Sequence, residues 1–320
     1  MPTTASASAL TNWYAQPGAL ERRVYTDLLD KEMDAVEITA DRVKIQLDDL
    51  YTTRGDKKDS TIKIADVSSI ADLPVKSEDI DDLPVSHVAP GWDITLTPVN
   101  YRQSLKVTED MQEMDRFGRV MQMMAGLMKG GLRQKQYALA DLFNNAFATY
   151  TGGDGMYLLD TGHPYRDPSA GTWDNLDTGA LTHGRLSTAR VNFRKSTNDK
   201  GHRDPIKLMR LLVPPDLEQK AIEIRKAEKM PENALNQPNW LQNTFDIQVC
   251  DWFTGTNDWF CWGDHTEPAE AGLYYGERYP LSVRPLPAGE LTAGIIWGRY
   301  LKVAFDYSFN VVKNLRGSTG

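Results

Sequence analysis

Residues 119–150 read RVMQMMAGLMKGGLRQKQYALADLFNNAFATY, and the reading of this stretch decides the fold. Val120, Met121, Met124, Leu127, Met128, Leu132, Tyr137, Leu139, Leu142, Phe143, Phe147 and Tyr150 recur at intervals of three and four, which predicts a helix with one apolar stripe. Unbroken from Arg119 to Tyr150, such a helix is about 48 Å long at about 1.5 Å per residue, comparable to the width of a domain. Gly130-Gly131 is its weak point and the expected place of a bend. The methionines Met121, Met123, Met124 and Met128 fall at helical spacing and read as core packing rather than a cofactor surface.

Working outward toward the N-terminus, Thr108-Glu109-Asp110 is a helix-start signal, with acidic groups where the macrodipole is positive. It predicts a short helix to Met114 and a turn at Asp115-Arg116-Phe117-Gly118. Before it, Val43, Ile45 and Leu47 alternate, as do Ile62 and Ile64, then Trp92, Ile94 and Leu96, and finally Tyr101 to Val107. The layout over 42–107 is a long two-stranded excursion with Glu78, Asp79, Asp81 and Asp82 near its far end. A hairpin of that length has no core of its own and needs support from elsewhere. Met1 to Gly18 is small and polar, the composition of an arm that orders only against a partner. From Ala19, the residues Leu20, Val24, Leu28, Leu29, Met33 and Val36 predict a helix.

Toward the C-terminus, Thr151-Gly152-Gly153-Asp154-Gly155 stops the long helix and opens a loop region extending to about Gly179. A second helix is predicted over 181–196 and a strand over 207–213. Pro214-Pro215 closes that strand and primes a third helix over 216–229. Short strands alternate with turns from Phe245, and a long strand pattern runs from Ile295 to Val312. The mixture is α+β with antiparallel character.

The chain has 320 residues and a formal net charge of −8, which removes the electrostatic footprint of a protein that grips nucleic acid through many phosphates. No stretch approaches the ~18 apolar residues of a membrane span, and the N-terminus does not read as a signal peptide. The chain therefore reads as cytosolic when made. Its two cysteines, Cys250 and Cys261, flank a polar turn between aromatic runs and are expected to be buried, reduced thiols inside a hairpin.

Three carboxylate-histidine pairs suggest chemistry: Asp160 with His163, His202 with Asp204, and Asp264 with His265. None has the spacing of a helical zinc motif, and all lie in loops. No nucleotide-binding glycine fingerprint, phosphate loop or nucleophile elbow is present. The reading from the residues is that there is no catalytic residue, no metal site and no cofactor.

The order of elements, together with several local motifs, resembles the major capsid proteins of tailed phages with the Hong Kong 97 fold, especially the Mu-type major head subunits. The motifs are Leu73-Pro74-Val75-Lys76, Leu105-Lys106-Val107-Thr108-Glu109-Asp110-Met111 and Gly152-Gly153-Asp154-Gly155. Further on are Thr161-Gly162-His163-Pro164 with Gly171-Thr172-Trp173-Asp174-Asn175, and Leu211-Leu212-Val213-Pro214-Pro215-Asp216-Leu217. They span about Leu73 to Leu217. The resemblance implies an N-terminal arm and helix (1–41), an extended β-hairpin loop (42–107), a peripheral domain with the spine helix (108–172), an axial domain (173–287) and a returning peripheral strand (288–320). It makes His163 structural.

The function it implies is self-assembly into the icosahedral head of a double-stranded DNA phage. The implied partners are further copies in hexamers and pentamers, a portal protein, and scaffolding and cement or decoration proteins. DNA is enclosed without sequence specificity, and no membrane is involved. The implied location is the virion capsid, with the host cytoplasm as the place of assembly. With Met1 at the start and no charged helical segment before the arm, scaffolding is expected from a separate protein. The acidic tip Glu78, Asp79, Asp81 and Asp82 is expected to lie over the basic helix segment Lys129, Arg133 and Lys135 of a neighbour. The alternatives are an encapsulin-type shell around cargo enzymes, a metal-dependent hydrolase using His163 and His202, and a tail or decoration component.

Overall fold

A computed structural model describes residues 44–54, 62–64, 94–96, 100–107, 114, 119–165, 171–197, 203–230, 237–264, 273–277, 281, 284–286, 293–305 and 315–318. The chain divides into two compact units: 1–44, 100–134 and 280–299 form one, and 45–99, 135–279 and 300–320 form the other. The expected N-terminal arm and helix, the short helix after Thr108, and the acidic tip at Glu78, Asp79, Asp81 and Asp82 lie outside the described residues.

In chain order the strands are β1 (Tyr51–Arg54), β2 (Ile62–Ile64), β3 (Ile94–Leu96), β4 (Asn100–Val107), β5 (His163–Pro164), β6 (Thr172–Trp173), β7 (Leu176–Asp177) and β8 (Lys207–Val213). They continue as β9 (Asp246–Val249), β10 (Trp259–Asp264), β11 (Leu273–Glu277), β12 (Arg284–Leu286), β13 (Ala293–Phe305) and β14 (Leu315–Ser318). The described helices are α1 (Arg119–Asn144), α2 (His183–Arg194) and α3 (Glu218–Lys226).

In the first unit, β12 pairs antiparallel with the start of β13, with Arg284 opposite Ile296 and Leu286 opposite Gly294. The first part of α1, through Gln134, belongs to this unit, and the helix runs through Gly130-Gly131 without interruption.

The second unit is built around a mixed sheet in the order β7-β14-β10-β8-β9. Its interior strand β8, between β10 and β9, is bounded by Pro205 and by Pro214-Pro215, residues that cannot continue a ladder. Helices cover one face: Leu186, Ala189 and Phe193 of α2 and Ala221 and Ile224 of α3 pack with Leu208, Leu211, Val213, Trp259 and Cys261. On strands β8 and β10, Leu212 and Phe260 are also buried, and Phe260 meets Phe143 of α1 at 5.2 Å and Phe253 at 5.4 Å between ring centroids. Burial on both faces explains why β8 reads as a nearly continuous apolar run instead of an alternating one.

Several expectations change. Helix α1 ends at Asn144, and 145–149 form turns: the Ala146 amide pairs three residues back, with the Phe143 carbonyl at 3.3 Å, and the Asn145 side-chain amide donates to the Asp141 carbonyl at 3.1 Å and carboxylate at 2.8 Å. That local bond competes with continued helical pairing. The third helix is shorter than expected and is preceded by a 3-10 turn at Pro215–Leu217. The strand expected over 295–312 is β13, ending at Phe305, and the separate β14 lies in the other sheet.

The cysteines do not sit in one hairpin: β8 lies between β9 and β10, pairing in parallel with β9 and antiparallel with β10. Both thiols are buried, as expected. Parallel pairs also join β1 to β11 and β7 to β14, so the two five-stranded sheets are mixed rather than antiparallel.

Close approach demands glycine at position 317 in β14. A Cβ there would stand 2.4 Å from Leu159 Cδ1 and 2.7 Å from Phe260 Cδ1. Gly317→Ala is expected to destabilise the unassembled subunit by about 1–3 kcal/mol through overpacking. Urea unfolding of the two proteins side by side checks this, and an unchanged midpoint would contradict the packing.

Candidate functional site

Three constructions in the second unit gather the candidate residues. The first is the loop region after α1. Asp154, in the Gly-Asp-Gly turn, accepts from the Met156 amide at 3.1 Å and lies 2.7 Å from His163 Nδ1. His163 is fully buried and stacks on Trp173 with ring centroids 4.6 Å apart.

Asp160, the expected partner of His163, instead accepts from the backbone amides of Thr161 at 2.6 Å and Gly162 at 3.2 Å. The histidine therefore pairs with a carboxylate nine positions away, across the loop, and the Asp160 carboxylate serves a turn. Asn175 pins the same region: its side chain donates to the Leu158 carbonyl at 2.8 Å and accepts from the Asp160 amide at 2.8 Å. Its carbonyl accepts from the Gly317 amide at 3.2 Å, tying the loop to β14.

The second construction is centred on Asn239, buried between α2 and α3. Its amide donates to the carbonyls of Ile224 at 2.7 Å and Ala227 at 2.9 Å. Its oxygen accepts from the Leu241 amide at 2.9 Å and lies 2.9 Å from His183 Nε2. The two histidines of the described residues that are buried, His163 and His183, are thus both held in structural ties.

The third construction is the root of the 42–107 excursion. Leu47, Leu50 and Tyr51 are buried, and the Tyr51 hydroxyl donates to the Leu139 carbonyl of α1 at 2.7 Å. Burial, with smaller contributions from Cys250 and Asp141, pushes that phenol well above its ordinary pKa and keeps it a neutral donor. Lys135 pairs with Asp48 at 3.0 Å, Arg210 pairs with Asp49, and Gln46 donates to Asp251 at 2.8 Å. Leu47 adopts a left-handed backbone with φ 64°, a conformation costing about 1 kcal/mol that the burial around it offsets. The expectation that the whole excursion needs a neighbour is corrected here: 44–51 is seated on its own chain.

The basic segment of α1 divides accordingly. Lys129 and Arg133 are exposed, whereas Lys135 is buried against Tyr275 and committed to Asp48. Four residues apart, Lys129 and Arg133 share one helix face. The acidic residues expected to meet them, and His202 and His265, lie outside the described residues. Met128 is buried and Met123 is exposed, while the side chains of Met121 and Met124 lie outside the described residues.

Among the described residues no group of three or more His, Cys, Asp or Glu side chains could hold a metal ion. No described helix is long and apolar enough to cross a membrane. Burial first, with the Asp251 charge adding, pushes the Cys250 thiol up to about 11, so it is inert as a nucleophile near neutral pH. A cleft of about 370 Å³ beside Trp173 is lined mainly by hydroxyls and amides, including Thr161, Tyr165, Asn192 and Thr197. Asn175 stood in the recognised Gly171–Asn175 motif without a role assigned to it, whereas Asn239 carried no sequence signal, since a single asparagine in a loop is the commonest of turn residues.

Comparison with known proteins gives a consistent picture. A family described as phage capsid protein matches residues 94–309. No curated protein matches the chain. Among solved structures, the capsid of Ralstonia phage GP4 is similar over 80% of this chain and 83% of that one, with TM-score 0.52 and 10% identity. The capsid of bacteriophage JBD30 decorated with minor capsid protein trimers is similar over 66% of this chain and 92% of that one, with TM-score 0.50 and 13% identity. A virus-like particle from Pyrococcus furiosus is similar over 90% of this chain and 98% of that one, with TM-score 0.51 and 8% identity. At such identities the likeness to the structures is one of fold.

Proposed function

The chain belongs to the phage capsid protein family, as a major capsid protein, and on that premise we propose that it is a Hong Kong 97-type subunit of the Mu-type branch that works by shape and contact alone. Its product is a closed icosahedral head built from hexamers and pentamers, with a portal protein at one vertex and double-stranded DNA inside. Scaffolding and cement or decoration proteins complete its set of partners, and it is made in the host cytoplasm before it enters the virion. The five-part division into arm (1–41), extended loop (42–107), spine region (108–172), axial domain (173–287) and return strand (288–320) belongs to the same proposal.

The observation that carries this reading is the family match over 94–309, which spans α1, strands β7 to β10 of the mixed sheet and the motifs from Leu105 onward. The chemistry agrees with it. His163 and Asp160, the best catalytic candidates, are committed to backbone and side-chain ties inside a packed loop region. A net charge of −8 suits a wall that must contain DNA without adhering to it. The family match does not favour a cargo-enclosing shell or a hydrolase.

The root at 44–54, with β1 paired to β11, and β4, paired to β13, anchor both ends of the extended loop on its own chain, and the acidic tip between them is proposed to gain its support from a neighbour, so its ordering is coupled to assembly. Lys129 and Arg133 are proposed to receive the acidic tip Glu78, Asp79, Asp81 and Asp82 of that neighbour. Lys135 is no longer part of that contact. Negative-stain microscopy and sedimentation of the expressed chain test the main reading: closed shells are the expected result, and a protein that remains monomeric under all assembly conditions overturns it. The loop contact is tested separately with Lys129→Glu and Arg133→Glu together. Shell yield is expected to fall by at least roughly tenfold and to be partly restored by lysines at the tip. An unaltered yield rejects the contact.

A further inference from the structure

Helix α2 and the segment after α3 carry a basic aromatic patch that is not neutralised by any carboxylate among the described residues. The Arg190 guanidinium lies 4.7 Å from the centre of the Trp240 ring and donates to the Trp240 carbonyl at 3.2 Å. Trp240 is nevertheless 43% exposed. Arg194, one turn further along α2 and exposed, is close enough that its charge adds to burial in lowering the pKa of Arg190. Arg185, Arg210 and Arg225 each pair with an aspartate, at Asp177, Asp49 and Asp246. Arg190 and Arg194 have no ion pair among the described residues, so their two positive charges beside the exposed indole are open to an acidic partner.

The complement is present on the same unit. Asp216, Glu218 and Glu223 are exposed at and near the start of α3, and none is ion-paired among the described residues. Asn239 connects His183, at the start of α2, to the carbonyls of Ile224 and Ala227, at the end of α3. About 12 Å of chain at helical rise separates Asp216 from that bridge.

We propose that the Arg190, Arg194 and Trp240 patch of one copy docks on Asp216, Glu218 and Glu223 of the next. This rests on the capsid reading and names one of the surfaces through which copies meet. A contact that joins two different patches is head-to-tail, and repeated by rotation it closes a ring, the form a hexamer or pentamer requires. Tryptophan and arginine are the side chains that most often dominate binding energy, and the opposed charges set register and exclude wrong pairings.

The experiment compares shell assembly by sedimentation for the wild type, Arg190→Glu with Arg194→Glu, Asp216→Lys with Glu218→Lys and Glu223→Lys, and all five together. Trp240→Ala is the variant without a charge change, and circular dichroism confirms that every subunit is folded. Each reversed set is expected to lower the assembled fraction at least roughly tenfold, and the combined swap to recover most of it. Trp240→Ala is expected to give an intermediate loss.

Wild-type assembly by either reversed set, or by Trp240→Ala, overturns the proposal. So does a combined variant no better than its worse parent. Normal shells of Arg190→Glu with Arg194→Glu that fail to retain DNA would assign the patch to phosphate and also overturn it. A wild type that never forms shells removes the capsid reading itself, whereas intact shells in all variants remove this contact alone.

Discussion

Asn239→Leu is expected to cost the unassembled subunit about 4 kcal/mol of unfolding free energy, the largest loss foreseen for a single substitution. Leucine has the branched outline of asparagine, with more bulk, but can neither donate nor accept. The Ile224 and Ala227 carbonyls, the Leu241 amide and His183 Nε2 would lose a partner together in a buried site. Each buried group left unsatisfied costs about 1–3 kcal/mol, with partial relief where neighbours relax or water enters. Asn239→Ala is expected to lose less, because the smaller side chain leaves room for a water to re-pair some of these groups. Urea unfolding measures both. If leucine were tolerated within about 1 kcal/mol, Asn239 would be acting by volume alone and the polar tie would be unimportant. Because Trp240 is the next residue, the variant is also expected to weaken assembly.

His163→Leu is expected to destabilise the subunit by about 3 kcal/mol, and the reason separates a structural histidine from a catalytic one. The substitution keeps an apolar body against Trp173 but leaves the Asp154 carboxylate, whose side chain is 6% exposed, without its 2.7 Å partner. A buried charge with no partner is worse than an apolar pair of similar size. The double variant His163→Leu with Asp154→Leu is therefore expected to be more stable than His163→Leu alone, despite losing the bond to the Met156 amide. A double-mutant cycle in urea reads this directly. Additive losses would show that the two side chains act independently. A catalytic histidine would follow another pattern, with little change in stability.

How far these features were legible differs from residue to residue. Strand β8 occupies 207–213 as expected, because flanking prolines and a dense apolar run are local signals. Helix α2 starts at His183 with Thr182 as its cap, the Thr182 hydroxyl accepting from the Arg185 amide at 3.2 Å, within the expected 181–196. Helix α1 was visible through its period, yet its end was placed six residues late. The apolar spacing at Phe147 and Tyr150 continues past the point where the ladder shifts, with the Ala146 amide turned to the Phe143 carbonyl at 3.3 Å. The loop motif around Thr161 and Asn175 was recognised as a pattern, but the pairing of His163 with Asp154 rather than Asp160 depends on how the loop folds back.

The cysteines carry the same lesson at larger scale. Cys250 and Cys261 were correctly expected to be buried, since the surrounding aromatic residues demand a core. The hairpin expected to hold them does not exist, because β8, more than thirty positions upstream, is inserted between their strands. Lys135 shows the electrostatic version: its place on a basic helix face suggested an intermolecular role, and Asp48 of its own chain claims it.

By itself the sequence determined the class of elements, most of their bounds, the burial of the thiols and the family resemblance, all of which follow from periodicity, turn chemistry and short motifs. Those signals act between residues close along the chain, where local backbone preference and the alternation of apolar side chains dominate. The tertiary structure alone decided which strands neighbour one another, which carboxylate His163 meets, and that Asn239 is the fastening between α2 and α3. Such choices are made by packing between distant segments, where a few buried hydrogen bonds and the filling of a shared core select one arrangement among many with the same local pattern.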